Sequence, residues 1–389
     1  MAGIYIHIPF CRSKCVYCAF YSIVCKKKHS SLHKTAPQQN IIGEYLQTLT
    51  KELTLRSYDN KDLNFSTIYF GGGTPSLLKI YEIEHVIKSI KDNYNSENII
   101  EFSFEANPEQ LSEVYCKQLK QLGINRLSIG VQSFDDNILN FLGRKHNSKD
   151  AANAIKNAKK AGFTNISIDL IYGINERNDT LWLQELNTLK LLDINHFSAY
   201  ALTLEENSIL YKKVKNKQLE PLDEELAKRQ YDILVSFAQQ SGFQHYEISN
   251  FAKLGFESKH NSSYWFGVPY LGFGVSAHSF NGHKRYWNAP TLNDYHKNIE
   301  NNTTFNDFEK LSPNEKFNEY ILLRLRTSKG IDLNEMKMHF ETKKVEYLQN
   351  YFRTKVRNNF FKTIDNTIHL TSEGFWFADG IASDIFLTD

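Results

Sequence analysis

The sequence predicts an α/β protein: a partial parallel (β/α)6 barrel followed by a C-terminal winged-helix-like α+β module. Three observations predict it. Over the first 205 residues, six short strand-like segments alternate with stretches long enough for crossover helices. The reactive side chains fall just after these strands, where parallel barrels carry their sites. From about Leu311 the texture changes to two or three helical patterns and then a hairpin-like pair.

Taken in order, Gly3–Ile8 (GIYIHI) reads as the first strand. Three cysteines follow, then a polar stretch at roughly 25–40, rich in Lys and Ser/Thr, that reads as a surface loop. Helical periodicity runs from Ile41 to Leu55. Thr67–Phe70 (TIYF) is a short buried strand ended by Gly71-Gly72-Gly73-Thr74-Pro75, and Ile99–Glu105 alternates as a strand before Asn107-Pro108. Leu111, Val114, Tyr115, Leu119 and Leu122 recur at helical spacing, with Gly123 as the stop. Arg126–Val131 is a strand, Ser148–Ala161 an Ala-rich helix ended by Gly162, and Asn165–Ile171 a strand. Thr180–Leu192 is a helix and His196–Tyr200 the sixth strand. Leu222–Gln240 is another helix. Tyr246–Asn288 is dense in aromatics, His and Gly, with little helical periodicity. Helical patterns at Pro313–Thr327, Asp332–Phe340 and Lys344–Val356 precede strands Phe361–Ile364 and Thr367–Leu370, joined by an Asp365-Asn366 turn. The domains expected are a partial barrel at 1–205, an extension at 206–305 and the winged-helix-like module at 306–389.

Composition bounds the function. Of 389 residues, 41% are hydrophobic and 23% charged, which excludes wholesale disorder. No run of about 18 apolar residues is present, so no membrane span is expected. The N-terminus MAGIYIHIPF lacks a basic region and a cleavage site, so it is not read as a signal peptide. A net charge of +2 makes no case for nucleic acid. Five cysteines, an odd count, argue against a disulfide framework and for a cytoplasmic chain.

Cys11, Cys15 and Cys18 form C-x3-C-x2-C, the strongest signal in the chain. Three thiolates this close can hold zinc with a water, or an iron–sulfur cluster with one iron left open, or stay uncoordinated. Cys25 reads as a loop thiol and Cys116 as a small buried hydrophobe. The three glycines after the second strand would let backbone N–H groups approach a ligand, though a tight turn alone also explains them. Glu105, Gln132, Arg144 and Asp169 each could be a helix cap or half an ion pair. Convergence of all four on one barrel rim points to a ligand.

These motifs together resemble the radical SAM superfamily: C-x3-C-x2-C after a YIHIPF strand, GGGTP after strand two, GVQSF after strand four. The match is to its coproporphyrinogen-oxidase-like branch, over almost the whole chain. The resemblance implies a [4Fe–4S] cluster on Cys11, Cys15 and Cys18, with S-adenosylmethionine on the fourth iron. It implies that Tyr5 and Tyr17 line the S-adenosylmethionine site, that Gly72, Gly73 and Thr74 contact its methionine part, and that Glu105 holds its polar groups. Gln132, Arg144, Asp169 and Ala201 match positions where the porphyrinogen-oxidising members hold a second such molecule.

Within the branch, three features favour the haem chaperones over the oxygen-independent coproporphyrinogen III oxidase. Phe20 stands where the oxidase continues to a fourth cysteine. The first cysteine is already residue 11, without the oxidase's N-terminal arm. Finally, His260-Asn261-Ser262-Ser263-Tyr264-Trp265 looks like the HNxxYW haem-binding motif. His260 offers an imidazole for iron, and Tyr264 and Trp265 offer flat apolar surface. His278, in GVSAHS, reads as a second haem ligand or a core histidine, the latter favoured, and His7 is read as structural. The resemblance therefore implies a haem carrier rather than an oxidase that uses a 5′-deoxyadenosyl radical. Its expected partners are haem, a haem-acceptor protein such as a respiratory-chain component, a reducing electron donor and a second copy of the chain, with no nucleic acid.

Overall fold

Strands buried on both faces of a sheet carry near-continuous apolar runs, and β1 (Ala2–Ile8) buries every residue but Tyr5. The computed structural model describes residues 2–25, 37–60 and 62–388. After β1 come β2 (Phe65–Gly72), β3 (Glu101–Ala106), β4 (Arg126–Gln132), β5 (Asn165–Tyr172) and β6 (His196–Ala201), each parallel to the one before it. These are the six strands expected from the sequence. Helices fill the crossovers: α1 (Pro37–Ser57), α2 (Ile80–Asn93), α3 (Glu113–Gln121), α4 (Asp136–Leu142), α5 (Ser148–Lys160) and α6 (Asp179–Leu191). Much of the polar stretch expected as a loop lies outside the described residues. Its end, from Pro37, already begins α1, because proline is favoured in a first helical turn.

The chain continues through α7 (Ile209–Lys215), α8 (Glu224–Gln240), β7 (Gln244–Glu247), β8 (Asn250–Ala252), α9 (Lys259–Trp265), β9 (Tyr270–Phe273), β10 (His278–Phe280), β11 (Lys284–Trp287) and β12 (Asp307–Lys310). All twelve strands join one sheet in the order β12-β11-β10-β9-β1-β2-β3-β4-β5-β6-β8-β7. β9 is a seventh parallel strand, with Gly3 opposite Tyr270 and Ile6 opposite Phe273. At four residues it is too short to show a period in the sequence. His278 departs from its expected place in the core. Ser279 is the buried residue, donating to the Gly272 carbonyl at 3.3 Å, and alternation along β10 turns His278 outward, where it is exposed.

A buried carboxylate ties α1 to this added half of the sheet. Glu52 is fully buried and accepts four hydrogen bonds. Oε1 takes Arg56 Nη1 and Asn288 Nδ2, both at 2.8 Å. Oε2 takes the Gly274 N–H at 2.8 Å and the Tyr295 hydroxyl at 2.7 Å. Arg56 in turn donates to the Gly272 carbonyl at 2.6 Å.

The C-terminal residues bury their own apolar cluster, including Phe317, Leu325, Met336, Leu348, Ile368 and Ile385. Helices Pro313–Leu325, Leu333–His339 and Thr342–Thr354 surround a three-stranded antiparallel sheet of β13 (Ile331–Asp332), β14 (Phe361–Ile364) and β15 (Thr367–Leu370). Asp365 and Asn366 both adopt positive φ, 46° and 62°, as a two-residue hairpin turn requires. Two helices not expected from the sequence follow, Ser372–Trp376 and Ala378–Ile385; Gly374 and Gly380 mask their periodicity. Among the described residues, no helix is long and apolar enough to cross a membrane.

Removing Glu52 would strand four donors and the Arg56 charge. Glu52→Ala should therefore destabilise the protein by about 3–5 kcal/mol, read as a lower urea midpoint. A midpoint within experimental error of wild type would show that the node is dispensable.

Candidate functional site

The C-terminal ends of β1 to β6 open onto one cavity of about 920 Å³. Its walls bring together Cys11, Cys15, Tyr17, Cys18, Gly72, Gly73, Thr74, Glu105, Gln132, Arg144, Asp169 and Ala201. Four sequence-predicted residues, Tyr5, His260, Tyr264 and Trp265, stand outside this lining.

The cysteine loop is fastened at its stem. Phe10–Cys11 pairs with Ile23–Val24 as a short parallel bridge. The Ile23 N–H donates to the Pro9 carbonyl at 2.7 Å and the Cys25 N–H to the Cys11 carbonyl at 2.8 Å. Beyond the stem, the Val16 N–H reaches the Leu142 carbonyl of α4 at 3.2 Å. The Thr74 hydroxyl donates to Cys11 Sγ at 3.5 Å, and Arg144 Nη1 to Cys15 Sγ at 3.4 Å. Burial pushes the Cys11 and Cys18 thiols up, and the neighbouring cysteines add to the shift. Bare thiolates are disfavoured there, so a metal group binding to the loop would displace the thiol protons. Among the described residues, no three Cys, His, Asp or Glu side chains converge as ligands of a single metal ion. Cys25 lies outside the cavity lining, and Cys116 is fully buried in the core.

The glycine turn sets the adjoining wall. Gly72 holds φ 113°, and a Cβ on Gly73 would come within 2.8 Å of the Phe10 carbonyl oxygen. Only glycine lets this turn close against the cysteine stem. The Gly72 N–H donates to Glu105 Oε2 at 3.1 Å, while the Tyr69 hydroxyl donates to Oε1 at 2.8 Å. Burial raises Glu105 to about 7, with Asp169 adding to the shift. Burial likewise raises Asp169 to about 6, against the hydrogen bonds from Ser198 and Ser128. Gln132 takes a left-handed φ of 69° at the end of β4, a strained conformation that tends to mark a working site. Arg144 is held by Asn107 Oδ1 at 2.6 Å and the Gly130 carbonyl at 2.7 Å. Two carboxylates, a guanidinium and an amide around one cavity suit a small zwitterionic ligand.

Sequence reasoning passed over several wall residues. Asn107 was read only as the end of a strand. Tyr200 lines the cavity from β6. Tyr231, Ile248, Arg326, Phe375, Trp376 and Asp379 close its far end, most of them from the C-terminal residues. No local signal marks these, because they reach the cavity through packing.

The residues of HNSSYW form α9, which packs on β2 and β3. Glu101 accepts the N–H groups of Lys259 at 2.8 Å and His260 at 2.9 Å. His260 is 1% exposed, with Nδ1 on the Thr67 hydroxyl and Nε2 on the Tyr264 hydroxyl, both at 2.8 Å. Burial lowers it to about 3. The Trp265 indole lies 5.6 Å from the guanidinium of Arg326, and its buried Nε1 has no partner among the described residues. Tyr5 hydrogen-bonds His7 at 3.0 Å and stacks on Tyr69 at 6.1 Å.

The chain is similar to known proteins over nearly its whole length. The Radical SAM superfamily model matches residues 5–187. The chain is 34% identical to "Heme chaperone HemW" of Bacillus subtilis, over 96% of each protein. It is 31% identical to the protein of that name from Lactococcus lactis, over 99% of this chain and 97% of the relative. Among solved structures, coproporphyrinogen III oxidase (HemN) from Escherichia coli, described as a radical SAM enzyme, superposes with a TM-score of 0.83. It covers 99% of this chain and 90% of that one at 22% identity, which shows the shared fold.

The two raised carboxylates make a stability prediction. Their folded pKa values lie above the unfolded ones, so the folded chain holds protons that the unfolded chain has released between about pH 4 and 7. Their contribution is full at low pH and is lost as pH rises through about 6 and 7. Glu105→Gln should raise the melting temperature at pH 8, by the equivalent of about 2 kcal/mol, and change it little at pH 5. Equal shifts at both pH values would contradict this electrostatic account.

Proposed function

The chain belongs to the radical SAM superfamily, in its coproporphyrinogen-oxidase-like branch, and we propose that it is a haem chaperone that binds haem and hands it to an acceptor protein. The observation that carries the reading is near-full-length identity above 30% to proteins named for that role. The likeness to the oxidase rests on fold. By residue range, 1–205 would form the cofactor-bearing barrel, 206–305 the haem-contacting extension and 306–389 the module closing the cavity.

Cys11, Cys15 and Cys18 would hold a [4Fe–4S] cluster, which supplies one iron with an open position for the amino and carboxylate groups of S-adenosylmethionine. Tyr17, Gly72, Gly73 and Thr74 would line the methionine end. Glu105, once ionised, would balance a positive charge on the ligand. Gln132, Arg144, Asp169 and Ala201 would receive the adenosyl end or a second molecule, the amide and guanidinium meeting carboxylate and Asp169 meeting hydroxyls. Tyr5 would act from behind, through its stack on Tyr69. Arg144 and Thr74 would each donate to a cysteine sulfur and keep its loop in place.

Haem would contact α9 at His260, Tyr264 and Trp265. The unpartnered Trp265 N–H, beside a guanidinium that lines the cavity, supports this placement. His260 would meet iron only after release from Thr67 and Tyr264. The protein would work in the cytoplasm with a reducing electron donor and a haem acceptor such as a respiratory-chain component, and a second copy of the chain as its oligomeric partner. No part of this reading calls for nucleic acid.

An anaerobic haem titration of the cluster-loaded protein, followed by absorbance, should saturate near one haem per chain. Trp265→Ala should weaken haem roughly tenfold, the order of one aromatic contact. Absence of saturable binding would favour the oxidase instead, and release of CO2 from coproporphyrinogen III would then be assayed. In a transfer assay, Cys15→Ala should lose the iron–sulfur absorbance and slow haem delivery. Delivery at the wild-type rate would mean that the cluster does not gate it.

A further inference from the structure

A continuous column of side chains crosses the barrel interior from α9 to the cavity. Its first member, His260, is fixed on both ring edges by Thr67 and Tyr264. Its backbone N–H is fixed by Glu101. The imidazole lies against the Tyr69 ring at a centroid distance of 5.0 Å and an angle of 27°. Tyr5 packs against that same tyrosine at 6.1 Å and 30°. A β-carbon on Gly3 would sit 3.1 Å from His260 Cε1, so the bare backbone of β1 leaves room for the imidazole. Tyr69 has little rotational freedom, and its hydroxyl ends on Glu105 Oε1 at 2.8 Å. The other carboxylate oxygen is held by the Gly72 N–H. Glu105 is therefore aimed at the cavity from two sides, one of them set by α9.

We propose that His260 is a positioning residue for Glu105, acting through Tyr69, so that the HNSSYW segment and the S-adenosylmethionine side of the cavity respond to one another. The inference rests on the reading above that Glu105 meets a polar group of S-adenosylmethionine. It gives the histidine a role separate from iron ligation, in keeping with a ring whose two nitrogens already have partners. A fixed hydroxyl beside a carboxylate favours its charged form. Loosening the column thus weakens the ionised state of Glu105 and any cation held there. The other titratable groups facing Glu105 are Asp169, Tyr5, Tyr200 and Tyr264. Asp169 is itself faced by Arg126 and Arg144.

The test is S-adenosylmethionine affinity of the cluster-loaded protein, by calorimetry across pH 5.5–8.5. Wild type should bind more tightly as pH rises through the titration of Glu105. Tyr69→Phe keeps the ring and loses only the hydroxyl. It should weaken binding at pH 7 roughly tenfold and move the midpoint to higher pH. His260→Ala should shift the midpoint the same way, and His260→Phe, which restores a ring against Tyr69, should move it back. Glu105→Gln separates the two readings. If it leaves affinity unchanged, the site reading fails and the inference with it. If Glu105→Gln weakens binding while Tyr69→Phe and His260→Ala keep the wild-type midpoint, the inference alone is overturned.

Discussion

Strands that all run the same way must deliver their C-terminal ends to the same rim. Seven strands obey that constraint here, and the rim of the site follows from it. Residues as far apart as Cys11 and Ala201 share one cavity because each leaves a strand at the same level. The two carboxylates share that space for the same reason. Glu105 ends β3 and Asp169 lies in β5, so neither can move away from the other without breaking the ladder. Burial is the main cause of both raised pKa values, and for Glu105 the nearby Asp169 adds to it.

The sheet also decides where polar groups can be buried. A carboxylate inside a protein persists only when its oxygens are satisfied. Glu52 and Glu101 meet that condition with backbone N–H groups and side-chain donors. Each joins segments far apart in sequence: Glu52 links α1 to the turn after β9, and Glu101 links β3 to α9. Neither is a site residue, yet together they hold the extension against the barrel. Glu105 differs because its two bonds leave it facing open space.

Much of this was legible in the residues. The six barrel strands carry long apolar runs, and their starts and ends match the sequence reading within about two residues. The three cysteines and the glycine turn are local patterns, and local patterns survive reading one residue at a time. β9 was not legible, because four residues carry no period and its partner lies more than 260 positions away. The far wall of the cavity was hidden for the same reason. Phe375 and Trp376 reach it from a helix whose glycine breaks the pattern. His278 was misjudged because one histidine beside one serine gives no hint of which will face inward until the strand is paired. His260 was recognised by its motif, but its two hydrogen bonds could be seen only once Thr67 and Tyr264 were in place.

The pairing of β1 with β9 has a consequence for how the chain is made. One edge of β1 is covered by β2 as soon as residue 72 is in place, but the other edge waits for residues 270–273. A ribosome adds about 5–20 residues per second, so roughly 10–40 s separate the two events. Through that interval the newborn strand shows an uncovered row of backbone donors and acceptors. An open strand edge is a template for unwanted pairing with other chains. The cell's handling of this protein is thus most demanding before the final third of the chain exists, and slow passage through that stretch would show itself as aggregation during synthesis, long before any cofactor is missing.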